Sequence, residues 1–207
     1  VERYRITNLY LLYMEITTEV VKALRAETGV SIMQCKKALE EASGDMEKAK
    51  VILRKVSIGI ASKKSDRSLG AGIVAAYTHA GGSVVGAVML ACETDFVSKN
   101  EEFQKLAYEI AMHVAAMNPS FRSREDITEL DLKAAREVFE KEAQNIPEAA
   151  RTKALQGKID SYLSERVLLE QPYVKDSSIT IKALIDSAIQ KFGEKIEIVR
   201  FERLSVK

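Results

Sequence analysis

The sequence predicts an α+β protein: a small N-terminal three-helix bundle, then a core in which a small antiparallel three-stranded sheet packs with helices and a helical arm. Three observations carry that prediction. Apolar residues recur at helical spacing in three short segments between Thr17 and Val56. Two segments rich in β-favouring residues flank the turn signal Ala80-Gly81-Gly82. Further helical segments then lead to a final β-favouring stretch, EKIEIVRFERLSV.

Val20, Val21 and Leu24 mark the first helix, which Gly29 stops. Ser31 with Gln34 three residues on reads as a capping box, and Ile32, Cys35, Leu39 and Ala42 form the next apolar stripe. Ser43-Gly44 breaks the chain, and Asp45 caps a third helix carrying Met46, Ala49, Ile52 and Leu53. A bundle of about 40 residues is marginal alone and suited to presenting a surface. Residues 57–70, SIGIASKKSDRSLG, lose the helical period and read as a linker or short connecting helix, so the domain boundary is placed there. IVAAYTH and SVVGAVMLACE are the two strands of an antiparallel hairpin. Ser98 followed by Glu101 reads as a capping box. It opens the strongest helix, with Phe103, Leu106, Ala107, Ile110, Ala111, Val114 and Ala115 in period until Asn118-Pro119. Residues 131–145 and 147–169 give the two helical segments of an arm, the second opened by Pro147 and interrupted near Gly157. Pro172 closes the arm, a helix from about Ile181 to Phe192 ends at Gly193, and the last strand is expected to join the hairpin in one sheet. Met14 directly precedes the first helical pattern, so residues 1–13 read as an upstream extension or added sequence. Their short apolar half holds Tyr and Asn and lacks the cleavage site of a signal peptide.

Composition narrows the function. The 207 residues, 46% of them hydrophobic, can bury a substantial core in one or two domains. Lys plus Arg number 31 against 30 Asp plus Glu, and a net charge of +1 supplies no bulk attraction to nucleic acid or to an anionic membrane. No apolar run approaches the roughly 18 residues of a membrane span. Cys35 and Cys92 are far apart and not in metal-ligand spacing, which fits a reducing compartment without requiring one; a cytoplasmic location is expected.

Catalytic devices are sparse. Gly70-Ala71-Gly72-Ile73-Val74-Ala75 matches a dinucleotide fingerprint in form, but it precedes a strand where that loop should follow one. The chain has no Walker loop, HExxH, nucleophile elbow or CxxC, so no cofactor, no metal and no enzymatic activity is expected. Lys36, Lys37, Lys63, Lys64 and Arg67 are interspersed with acids and lack aromatic stacking platforms. A solvated face fits them better than the alternative, an RNA-associated helical interaction module. His113 reads as structural, and His79 at the hairpin tip as either a surface residue or a partner contact. For Phe96, where a strand ends and a helix begins, two placements stand. It packs inward as a hydrophobic staple, which periodicity favours, or polar Thr94 and Asp95 lift it to the surface as an interface anchor.

At this point the sequence resembles the translation elongation factor Ts family, the guanine-nucleotide exchange factors for elongation factor Tu. The resemblance runs from about Met14 to the C-terminus on TGVSIMQCKKALEEASGDMEKA (28–49), ASKKSDR (61–67), CETDFVSKNEEFQKLA (92–107), AMHVAAMNP (111–119) and LLEQPYVKD (168–176). It departs at Val30, where a small residue is usual, and at Gln34, often an acid. The resemblance implies that residues 14–56 are a ubiquitin-associated-like domain docking on the GTPase domain of elongation factor Tu, with 57–70 a linker. It implies that 71–207 form the exchange-factor core, with its arm at about 131–169. It places Thr94, Asp95, Phe96 and Val97 against that GTPase, the aromatic wedged so that the magnesium and phosphate region is disturbed and GDP leaves. His79 falls on a family histidine expected to contact the same partner. Long members carry two versions of the sheet-and-helix core where this chain has room for one, so a homodimer in a two-plus-two complex is expected, with neither cysteine near the C-terminus to lock it.

Overall fold

The computed structural model describes residues 16–206 apart from Asn145. The reading of residues 1–13 therefore lies outside the described residues. The chain forms two compact units, one of residues through Leu69 with Ile185–Ile196, the other of Gly70–Leu184 with the chain from Glu197 onward.

The first unit begins with α1 (Thr18–Thr28), α2 (Ile32–Glu41) and α3 (Met46–Ser62). Each boundary has a local cause. Thr17 caps α1, and Gly29 ends it in the left-handed region at φ 67°, where a Cβ would be strained. The Ser31 hydroxyl accepts from Gln34 N at 3.4 Å and donates to Gln34 Oε1 at 2.9 Å, and Asp45 accepts from Lys48 N at 3.0 Å. Val21, Leu24, Val30, Cys35, Ala38, Leu39, Ala49 and Leu53 make the bundle core. Two expectations change. The third helix continues past Val56 to Ser62, with Ser57 buried and its hydroxyl satisfied by the Arg54 carbonyl, so the loss of apolar period there is not a loss of helix. Ile32, assigned to the apolar stripe of α2, is 47% exposed beside Met33 at 74%.

The second unit holds β1 (Ala71–His79), β2 (Val84–Cys92), α4 (Asp95–Ser98), α5 (Glu101–Met117), α6 (Glu129–Ala143), α7 (Glu148–Ser164), β3 (Pro172–Tyr173) and β4 (Asp176–Thr180). Next come α8 (Ile181–Phe192), most of which groups with the bundle, and β5 (Ile196–Ser205). β1 and β2 pair antiparallel in unbroken register from Ala71 opposite Cys92 to His79 opposite Val84, and β5 completes the sheet in the order β1-β2-β5. The pleat sorts side chains by face. Val88 and Leu90 are buried with Phe103, Leu106, Ile110, Ala111 and Val114 of α5, which packs on this hairpin. Gly86 permits that approach: a Cβ there would strike the Ala111 carbonyl oxygen and come within 2.7 Å of Ala115 N. The opposite face carries Val74, 64% exposed, across from Met89, 41% exposed, with Ala76 across from Ala87.

α5 starts two residues later than predicted. Asn100, not Ser98, caps it, accepting from Glu102 N at 2.9 Å, while Ser98 belongs to the preceding turn and donates to the Asp95 carbonyl at 3.1 Å. The arm is the antiparallel pair α6 and α7, joined by Phe139 edge-on to Tyr162 at 5.8 Å and by the Lys158–Glu142 ion pair. Gly157 does not interrupt it, since α7 runs through that position to Ser164. Pro147 takes the cap position just before the first turn. After the arm, β3 and β4 form a short second sheet that the periodicity did not disclose.

Candidate functional site

Cys92, the last residue of β2, is buried, and its thiol donates to the Thr94 carbonyl at 3.2 Å. Thr94 stays extended at φ −127° and ψ 157°, and the chain then closes one helical turn, with Ser98 N donating to Thr94 O at 3.3 Å and Lys99 N to Asp95 O at 3.1 Å. Successive residues in such a turn point about 100° apart, so neighbours cannot share a direction. Val97 takes the inward position at 4% exposure and Phe96 points outward at 82%. The inward-staple placement of Phe96 is therefore overturned: Val97, one residue on, is the side chain that is buried. Asp95 pairs with Lys99 at 2.6 Å across one helical turn, and the ammonium holds its carboxyl below the usual carboxylate range.

The other singled-out residues separate by role. His79 is exposed at the end of β1, with its Nδ1 3.1 Å from the Tyr77 hydroxyl. It stands opposite Val84, whereas the Thr94–Val97 turn follows Cys92 at the other end of β2, so eight strand steps of roughly 3.3 Å separate the two features along the hairpin. Any single partner touching both must span about 25 Å. His113 is fully buried: Val174 N donates to its Nδ1 at 3.2 Å, and its Nε2 donates to Gln171 Oε1 at 2.9 Å. Burial pushes that imidazole's pKa down, opposed by the Gln171 hydrogen bond. Both ring nitrogens are used in packing, which is the structural role read from the sequence.

Lys64 donates to the Gly193 carbonyl at 2.6 Å and Lys36 faces Glu40 at 3.8 Å, so each of these two cations has a partner within the chain. Val30, one of the two departures from the family pattern, is buried in the bundle core. Among the described residues no group of three or more His, Cys, Asp or Glu is placed to hold a metal ion, and no helix is long and apolar enough to cross a membrane. Sequence reasoning missed Lys99, Tyr77 and the exposed Ile32–Met33 pair. The Asp95-to-Lys99 spacing of four and the Tyr77-to-His79 spacing of two were the available signals.

Phe96 is thus a large, rigid apolar side chain held outward on a short turn between β2 and α5, the kind of side chain that protein interfaces bury. Comparison with known proteins narrows the class. The profile of the family described as Elongation factor TS matches residues 12–207. The chain is 44% identical over 197 residues to elongation factor Ts of Herpetosiphon aurantiacus, covering 93% of this chain and 98% of that protein. It is 43% identical over 192 residues to elongation factor Ts of Coprothermobacter proteolyticus, covering 92% and 98%. With elongation factor Ts of Carboxydothermus hydrogenoformans it shares 43% over 193 residues, covering 92% and 89%. The chain belongs to the elongation factor Ts family, the guanine-nucleotide exchange factors of translation elongation.

Proposed function

We propose that the chain binds elongation factor Tu carrying GDP and promotes GDP release by inserting Phe96 beside the GTPase's magnesium and phosphate site, after which GTP binds. The observation that carries this reading is the 82% exposure of Phe96 on a turn anchored by buried Val97. Thr94 and Asp95 flank the wedge, and Lys99 holds Asp95 in place. The chain performs no chemistry of its own; exchange follows from linkage. A factor that prefers the nucleotide-free partner loses affinity when GDP binds, by the same factor by which it weakens GDP. Burying one Phe is worth about 1.5–3 kcal/mol, comparable with the roughly 1–3 kcal/mol of typical coupling between sites, so a single side chain can supply much of the effect.

Residues 14–56 are proposed as a ubiquitin-associated-like domain that docks on the GTPase domain, a reading supported by exposed Ile32 and Met33 at the start of α2. Residues 57–70 would link it to the core of 71–207. His79 makes a second, separate contact with the same partner. The exposed Val74 and Met89 on the outer sheet face support a homodimer, giving a two-plus-two complex in the cytoplasm, with no direct contact to nucleic acid or membrane. Release of fluorescent GDP from purified elongation factor Tu, with and without this chain, tests the reading: acceleration is expected, and an unchanged rate at saturating chain concentration would refute it.

A further inference from the structure

Tyr77 and His79 stand two residues apart on β1, so the pleat directs both to the same face. The Tyr77 hydroxyl is 3.1 Å from His79 Nδ1, with ring centroids 5.9 Å apart and planes at 30°. Tyr108 of α5 meets the Tyr77 ring edge-on, at 5.7 Å and 78°. Tyr77 is half-buried, while His79 beyond it is exposed. The contacts thus run outward from the long helix, through a braced phenol, to an imidazole at the hairpin tip.

We propose that Tyr77 is a positioning residue for His79, fixing its tautomer and aiming its Nε2–H at an acceptor on the partner GTPase. This rests on the proposed contact between His79 and that partner. A phenol is a good donor and an imidazole nitrogen a good acceptor, so the hydroxyl donates to Nδ1 and the proton of the neutral ring sits on Nε2. The outward nitrogen is then a donor, and the group it meets is a backbone carbonyl or a carboxylate. Because Tyr108 already braces Tyr77, the imidazole is oriented before association, and less side-chain freedom is lost on binding.

The test combines ¹⁵N NMR of the imidazole nitrogens in the free chain with GDP release from elongation factor Tu, using Tyr77→Phe, His79→Ala and the double variant. Tyr77→Phe keeps the ring against Tyr108 and removes only the hydroxyl. In the wild type the His79 shifts should be those of the Nε2–H tautomer, moving toward a tautomer mixture in Tyr77→Phe. Stimulated release should slow about twofold to tenfold, the range set by one hydrogen bond. His79→Ala should slow it at least as much, and adding Tyr77→Phe to His79→Ala should change nothing further. Unaltered imidazole shifts in Tyr77→Phe, or effects that multiply in the double variant, would overturn the positioning role while leaving the His79 contact intact. A wild-type rate for His79→Ala alone would overturn the contact, and the positioning role with it.

Discussion

Phe96 and Val97 are sequence neighbours with opposite exposure, and the helical turn that separates their directions assigns them opposite tasks. Val97→Ala should destabilise the chain by about 1–3 kcal/mol in urea unfolding, since it empties a buried site. Phe96→Ala should leave stability within roughly 0.5 kcal/mol, because an 82% exposed ring contributes little to the folded chain alone. His113 gives a pH signature. Its folded pKa lies below the ordinary imidazole value, so its contribution is fully present above about pH 6.5. Below that pH the unfolded chain takes up a proton that the folded chain resists, and stability falls. Thermal melts between pH 7.5 and pH 5 should therefore fall more steeply in wild type than in His113→Gln. At this scale the stretch Thr94–Val97 stood out in the sequence, but the direction of Phe96 did not. Periodicity measures which spacing is apolar, and both residues are apolar; only the start of α4 at Asp95 decides which one turns inward.

The elements depend on close approach as much as on pattern. Gly86→Val should lower the urea midpoint by an amount corresponding to roughly 1–3 kcal/mol or more, because its Cβ would meet the backbone of α5, which cannot yield as a side chain can. The bundle, the hairpin, α5 and β5 were legible because period and punctuation agreed: Gly29 and Gly193 mark helix ends, and Ala80-Gly81-Gly82 marks the turn. Legibility failed where one local signal stood alone. Gly157 has no neighbouring side chain to disturb and good helix formers on both sides, so its propensity cost of about 1 kcal/mol does not break α7. β3 has only two residues and its turn lacks glycine, leaving too little period to detect. Ser98-to-Glu101 has capping-box spacing, yet Asn100 supplies the cap two residues on.

The whole molecule unites a helical unit that exposes Ile32 and Met33 with a core that exposes Phe96 at one end of its hairpin and His79 at the other. Family membership accounts for what composition could not, since a chain with a net charge of +1 and without a catalytic motif gives little functional direction by itself. If the outer sheet face joins two copies, light scattering should report a dimer at micromolar concentration, and Val74→Lys should shift it to monomer by placing a charge in an apolar contact. A wild-type monomer at every concentration would remove the two-plus-two arrangement while leaving the wedge intact. The proposed exchange turns on the Phe96 wedge, and its test is stopped-flow release of fluorescent GDP from elongation factor Tu with saturating wild-type chain or Phe96→Ala. Loss of about 1.5–3 kcal/mol of coupling predicts release slowed roughly tenfold to a hundredfold by a variant whose melting temperature is unchanged. A folded Phe96→Ala chain that releases GDP at the wild-type rate would contradict the account.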